Sequence, residues 1–181
     1  QRCEVGRIIV LDDLGRDDEA IAAATSVLQR LRDRVAGLSS RSSTGAIDAD
    51  LAETTVRALS NRALCWESIG AYEAAHDDYE DALRVDTGSI PPILVAQLQI
   101  NRSNVLDLLG RSADAIEALQ LALPLLEELG EREDVVKVAA NLGAMSCRRG
   151  EFDAGRAWLS VAERDVEAGT VDACAVQVET A

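Results

Sequence analysis

The chain has 181 residues, 48% hydrophobic and 3% aromatic, enough to bury a core built from small and aliphatic side chains. It carries 32 Asp and Glu against 18 Lys and Arg, a formal charge of −14. Nucleic acid and anionic membrane surfaces are thereby excluded as expected partners, because both demand a basic face.

Ala and Leu supply most of the apolar residues, and both rank high in helix propensity. Apolar positions recurring every three to four residues predict helices at 3–14 and 17–35, with Asp17 as an N-cap. Residues 37–47, Gly-Leu-Ser-Ser-Arg-Ser-Ser-Thr-Gly-Ala-Ile, predict a flexible surface loop. Helices follow at 49–69 and 72–86. Ser89 before Pro91-Pro92 marks the next start, since proline is tolerated in a first helical turn. That pair spans 91–109 and 112–129, with Ser112 as N-cap. Pro124 falls inside its second helix and should kink or interrupt it, by removing an amide donor and crowding the turn before. The last pair spans 132–149 and 152–167. Gly169-Thr170 breaks it, and 171–181 begins a partial further helix.

The elements repeat. Aligned on Gly15, Gly70, Gly110 and Gly150, the chain places Ala20, Ala75, Ala115 and Gly155 five residues later, and Val27, Ala82, Ala122 and Ala162 twelve residues later. Asn61, Asn101 and Asn141 stand nine residues before the last three glycines, which recur every 40 residues. Small residues at such offsets let two antiparallel helices approach closely. A pair of this size cannot bury its apolar face alone, so stacked neighbours must supply the core.

Several segments resemble the tetratricopeptide repeat. Asn61 to Ala75 with Tyr79 and Ala82-Leu83 supplies the small residue Ala63, the turn Gly70, the aromatics Tyr72 and Tyr79, and Ala75. Asn101, Gly110, Ala115 and Ala122-Leu123 repeat the pattern, as do Asn141-Leu142-Gly143, Gly150, Phe152 and Ala162. The resemblance implies an all-α, right-handed superhelical solenoid of four antiparallel helix pairs, in one domain over 1–181. Its units are 1–36, 48–88, 90–130 and 131–168. The 40-residue period is similar to the long repeats of kinesin light chain. In the place after the repeated Asn, where that family has an apolar residue, Arg62 and Arg102 stand instead, and they read as structural.

Such solenoids bind extended segments on the face lined by the first helix of each pair. Residues 13, 10, 9, 6, 3 and 2 before each turn glycine share an arc of about 120° on that helix. The candidate groove therefore comprises Asn61, Leu64 and Glu67, then Ile100, Asn101, Asn104 and Asp107, then Lys137, Asn141 and Arg148. An amide offers both donor and acceptor, so an asparagine row can hold a peptide backbone whatever its side chains. Asparagine rows do so in related solenoids such as O-GlcNAc transferase; the competing reading is that they only join one helix to the next. A carboxylate clamp is not expected, because Asn141 occupies the place of its second cation. Asp12, Glu67 and Asp107 on the far edge favour a basic or neutral ligand.

The expected function is a cytoplasmic protein–protein interaction scaffold taking a protein or peptide partner, with no cofactor. Two alternatives are a regulatory arm of a larger enzyme, since the repeats resemble those ahead of CHAT protease domains, and a self-association module forming a homo-oligomer. Catalysis is not expected: His76 is the single histidine, and no phosphate loop is present. Cys3, Cys65, Cys147 and Cys174 lack any metal-binding spacing.

Overall fold

The computed structural model describes residues 2–39, 49–85 and 90–167, and in side-chain detail 5–36, 49–85 and 90–163. Every element among them is helical: α1 (Arg2–Asp13), α2 (Asp17–Ser39), α3 (Ala49–Ser68), α4 (Tyr72–Leu83), α5 (Pro92–Leu108), α6 (Ser112–Leu129), α7 (Arg132–Arg148) and α8 (Phe152–Glu167). The sequence places all eight, with differences at a few ends. α2 runs through Gly37 and Leu38 to Ser39, past the expected start of the loop, and the rest of that loop lies outside the described residues. So does the expected partial helix at 171–181.

Each helix pair is joined by the same turn. Gly15, Gly70, Gly110 and Gly150 take φ of 64°, 75°, 74° and 81°, the left-handed region open to a residue without Cβ. Around Gly70, its own amide donates to Glu67 O at 2.9 Å and the Ala71 amide to Trp66 O at 2.8 Å, which satisfies two orphan carbonyls of α3. Ala71 is already the N-cap of α4, and its carbonyl accepts the Ala75 amide at 3.1 Å. One residue thus ends one helix and begins the next. Gly130, with φ of 75°, makes the same turn between α6 and α7, and the alignment on four glycines passes over it.

The expected N-caps are corrected here. Arg111, not Ser112, caps α6, without a side-chain hydrogen bond, and Ser112 Oγ instead donates to Asp107 Oδ1 at 3.1 Å. Asp17 is likewise the first helical residue, and the carbonyl of Arg16 before it accepts the Glu19 and Ala20 amides. Capping side chains are dispensable where the turn glycine already fixes the path. Acidic first-turn residues, including Asp17-Asp18-Glu19, Glu73 and Glu133-Asp134, face the positive helix ends instead. α6 is also continuous through Pro124, whose ring sits on its exposed side.

The chain divides into two compact units, Gln1–Leu98 and Gln99–Ala181, with the division inside α5. In unit 1, α2 packs on α1, and α3 packs on α1, α2 and α4. Ile8, Leu11, Ala20, Ala24 and Cys65 form one core cluster there, while Ala75, Tyr79 and Ala82 are fully buried on α4. Arg62 joins three helices: it forms a two-pronged ion pair with buried Asp78, at 2.7 and 2.6 Å, and reaches Thr25 Oγ1 at 3.0 Å. It is structural, as its place after Asn61 suggests.

In unit 2, α7 packs on α6 and α8, and Ala115, Ala118, Leu119 and Ala122 are buried. The α7–α8 contact is backbone on backbone. A Cβ at Gly155 would lie 2.4 Å from Cys147 Sγ, 3.0 Å from Gly143 O and 3.2 Å from Cys147 N. The sulfur can turn away, but the backbone atoms move only with the helix. Gly155→Ala should therefore lower stability by about 1–2 kcal/mol, despite a helix-propensity gain of about 0.5–1 kcal/mol. Gly6→Ala should show that gain alone, because a Cβ there meets nothing within 4 Å. Urea unfolding followed by far-ultraviolet circular dichroism checks both; an increase in stability for Gly155→Ala would refute the close approach.

Candidate functional site

The face marked out by the sequence is mixed in exposure on the first helices. On α3, Asn61 is half-buried while Leu64 and Ser68 are exposed. In unit 2, Ile100, Asn101 and Asn141 are half-buried, and Asn104, Leu108 and Arg148 are exposed. Lys137 is half-buried, its Nζ 3.4 Å from Asp134 Oδ1 one turn away. No hydrogen bond joins the side-chain amides of Asn61, Asn101 or Asn141 to another group among the described residues.

The acidic positions differ from the amides. Glu67 accepts the Tyr79 hydroxyl at 2.6 Å, across the α3–α4 contact. Asp107 accepts Ser112 Oγ at 3.1 Å and Arg148 Nη2 at 2.6 Å, tying the C-terminal ends of α5 and α7 together. Three residues before the turn glycine, a side chain points toward its own second helix as much as toward the groove. Cys147 has the same offset, and it lies against Gly155. Asp12 shares it too; its Oδ1 is buried with no hydrogen-bond partner among the described residues, and its carboxylate lies beside Cys65. The sequence pattern placed these residues in one row but could not show that the row borders two surfaces.

Burial, then the carboxylates of Asp12 and Asp17, pushes the Cys65 thiol up to about 12, so it stays protonated at neutral pH. Its Sγ donates to Asn61 O at 3.1 Å. His76 Nδ1 lies 3.6 Å from Asp77 and Nε2 3.8 Å from Glu80, among carboxylates on α4. Among the described residues, no three His, Cys, Asp or Glu side chains gather as a metal site, and no helix is long and apolar enough to cross a membrane.

The helix arrangement is shared with solved proteins. RapI in its apo form superimposes with a TM-score of 0.73 over 90% of this chain and 54% of its own, at 16% identity. BtubC (BKLC) from P. vanneervenii matches with a TM-score of 0.61 at 20% identity, over 84% of this chain and 57% of its own. MamA matches with 0.55 at 18% identity, over 88% and 94%. RapI and MamA are tetratricopeptide-repeat proteins. The fold is a tetratricopeptide-like all-helical repeat. The chain spans little more than half the length of RapI and BtubC. No family model and no curated protein matches the sequence.

Apart from Asp12 on the far edge, sequence reasoning gave the groove no residues from the first repeat. Val5, Gly6 and Ile9 hold the offsets of Ser60, Asn61 and Leu64, counted from Gly15 and Gly70. A glycine where the other repeats carry asparagine hid the correspondence, and the offset itself was the available signal.

Glu67 carries a pH signature. Burial raises its carboxyl above the usual range, and the Tyr79 hydrogen bond only partly opposes this. The folded state therefore binds this proton more tightly than the unfolded one, so stability falls as pH rises from about 4.5 through the raised folded value. A glutamine at this position would keep an acceptor for Tyr79 and lose the charge. Urea unfolding from pH 4 to 7 should show Glu67→Gln gaining on the wild type as pH rises. Parallel curves for the two proteins would contradict the burial of this carboxylate.

Proposed function

We propose that this tetratricopeptide-type chain is a protein-interaction scaffold. Its first helices bind an extended, neutral or basic segment of a partner protein. The observation that supports this most is that the recurring asparagine amides make no hydrogen bond among the described residues. An asparagine whose task is packing would bond to the neighbouring helix, and asparagine has only modest helix propensity to recommend it otherwise. Half-exposed amides at a constant register are suited to pairing with peptide groups, whose donors and acceptors do not depend on sequence.

In unit 2, Asn101 and Asn141 supply the amides, with Ile100, Asn104, Lys137 and Arg148 beside them. In unit 1, Asn61 and Leu64 hold the equivalent places. The excess of 32 acidic over 18 basic residues favours a basic segment in the encounter. The Asp107–Arg148 pair is 30% and 57% exposed, so solvent screens it and a ligand guanidinium can take the place of Arg148. A second reading, favoured by the partial coverage of RapI and BtubC, makes the same surface the regulatory arm of a longer protein.

The test isolates a partner by affinity capture, then measures direct binding of its segment to purified variants. Asn101→Ala and Asn141→Ala should each weaken binding by about fivefold or more, given about 1–3 kcal/mol for a lost buried hydrogen bond. Melting temperature should stay constant, because no intramolecular bond is removed. Stability that drops while binding holds would make the amides a packing device.

A further inference from the structure

The second helices of the last two pairs differ in how far they are covered. Counted from Gly110 and Gly150, Leu119, Ala122 and Leu123 on α6 hold the offsets of Leu159, Ala162 and Glu163 on α8. The α6 residues are 0%, 0% and 8% exposed, and α7, the first helix of the next pair, packs against that helix. On α8 the same strip opens. Leu159 is 36% exposed and Glu163 is exposed, while Ala162 stays buried beside Val136, Ala139 and Ala140. Among the described residues no helix follows α8 to cover it. In a stacked repeat, that cover is the first helix of the next unit.

The sequence after α8 carries the pattern of a first helix, at the same 40-residue period. Val56 and Ala58 on α3, Ala96 and Leu98 on α5, and Val136 and Val138 on α7 are each at most 1% exposed, and a polar residue, Arg57, Gln97 or Lys137, stands between each two. Forty residues after the last set come Val176, Gln177 and Val178. Residues two apart on a helix point about 200° apart, so the two apolar positions serve opposite sides. Val136 clusters with Val161 and Ala162 of its own second helix, which leaves Val138 for the preceding pair. Val135, on the Val138 side, borders Leu126 of α6. By the same register, Ala175 and Val178 are the residues that would face α8.

We propose that residues 172–181 form a further first helix, which docks Ala175 and Val178 on the open strip of α8 and closes this end of unit 2. Ten helical residues span about 15 Å, more than the strip from Leu159 to Glu163 requires. A helix so short is marginal alone in water, so its formation and its docking are one event. Residues 168–171 tether it to α8, and a tether this short holds a segment at about millimolar effective concentration, which favours it over a second copy. The proposal stands apart from the peptide-binding reading, because Ala181 takes the place of the asparagine in this segment.

The experiment records amide hydrogen exchange and methyl nuclear Overhauser contacts on the full chain. Amides from Val176 to Thr180 should exchange about tenfold or more slower than in an unfolded peptide, and the Val178 methyls should contact Leu159 or Ala162. Both signals should hold over about a hundredfold range of protein concentration, as an intramolecular contact requires. Val178→Asp should abolish both and lower the melting temperature by about 2–4 °C. Gln177→Asp, turned about 100° from Val178, should keep both. The proposal is overturned by exchange at the unfolded rate, or by protection that survives Val178→Asp. Loss of both signals in Gln177→Asp overturns the register on which it stands. Contacts that appear only as concentration rises belong to a second copy, and they overturn it equally.

Discussion

In the α7–α8 pair, two backbones touch: a Cβ at the Gly155 position would press on the Gly143 carbonyl at 3.0 Å and the Cys147 amide at 3.2 Å. Every other pair has its own small residue at the same offset, Ala20, Ala75 or Ala115, each fully buried. The left-handed glycine turn delivers the second helix to this contact, because the residue after the glycine caps the new helix and its carbonyl accepts the amide of the small residue. Turn and close contact are therefore one device, from the glycine to the small residue five positions on. Helices held this close leave their first members free to present a face outward, and on that face the amides stand.

Charge and hydrogen bonding divide the rows of the first helix by task. Two residues before the glycine, Ser68, Leu108 and Arg148 face solvent. Three residues before it, Glu67, Asp107 and Cys147 meet the partner helix or the next first helix. Nine residues before it, the side-chain amides of the asparagines make no hydrogen bond among the described residues. An angular step of 100° separates the two carboxyl-side rows, and that step changes a solvent-facing position into a packing one.

The fold was legible because its signals are local and repeated. Gly15, Gly70, Gly110 and Gly150 fix the turns, and the Ala positions fix which faces meet, so all eight helices follow. Gly130 was missed since the residue five positions on is Val135, not a small one, which breaks the alignment. Ser112 and Asp17 misled for a related reason: they have cap chemistry, but a tight turn leaves no separate residue for the task. The site was legible only in part. Offsets give the direction of Asn101 and Asp107 from the helix axis, but they cannot show that Arg148 reaches Asp107 across 41 residues. They equally hide Tyr79 behind Glu67.

The measurement that bears most directly on the close-contact device is urea unfolding of Ala75→Leu beside Glu73→Leu. Ala75 is fully buried five residues after Gly70, whereas Glu73 is exposed two residues earlier on the same helix. The account predicts a loss of about 1–3 kcal/mol at position 75, from overpacking. It predicts a change within about 0.5 kcal/mol at position 73, as for an ordinary surface site. Equal effects at both positions, or a neutral Ala75→Leu, would contradict it.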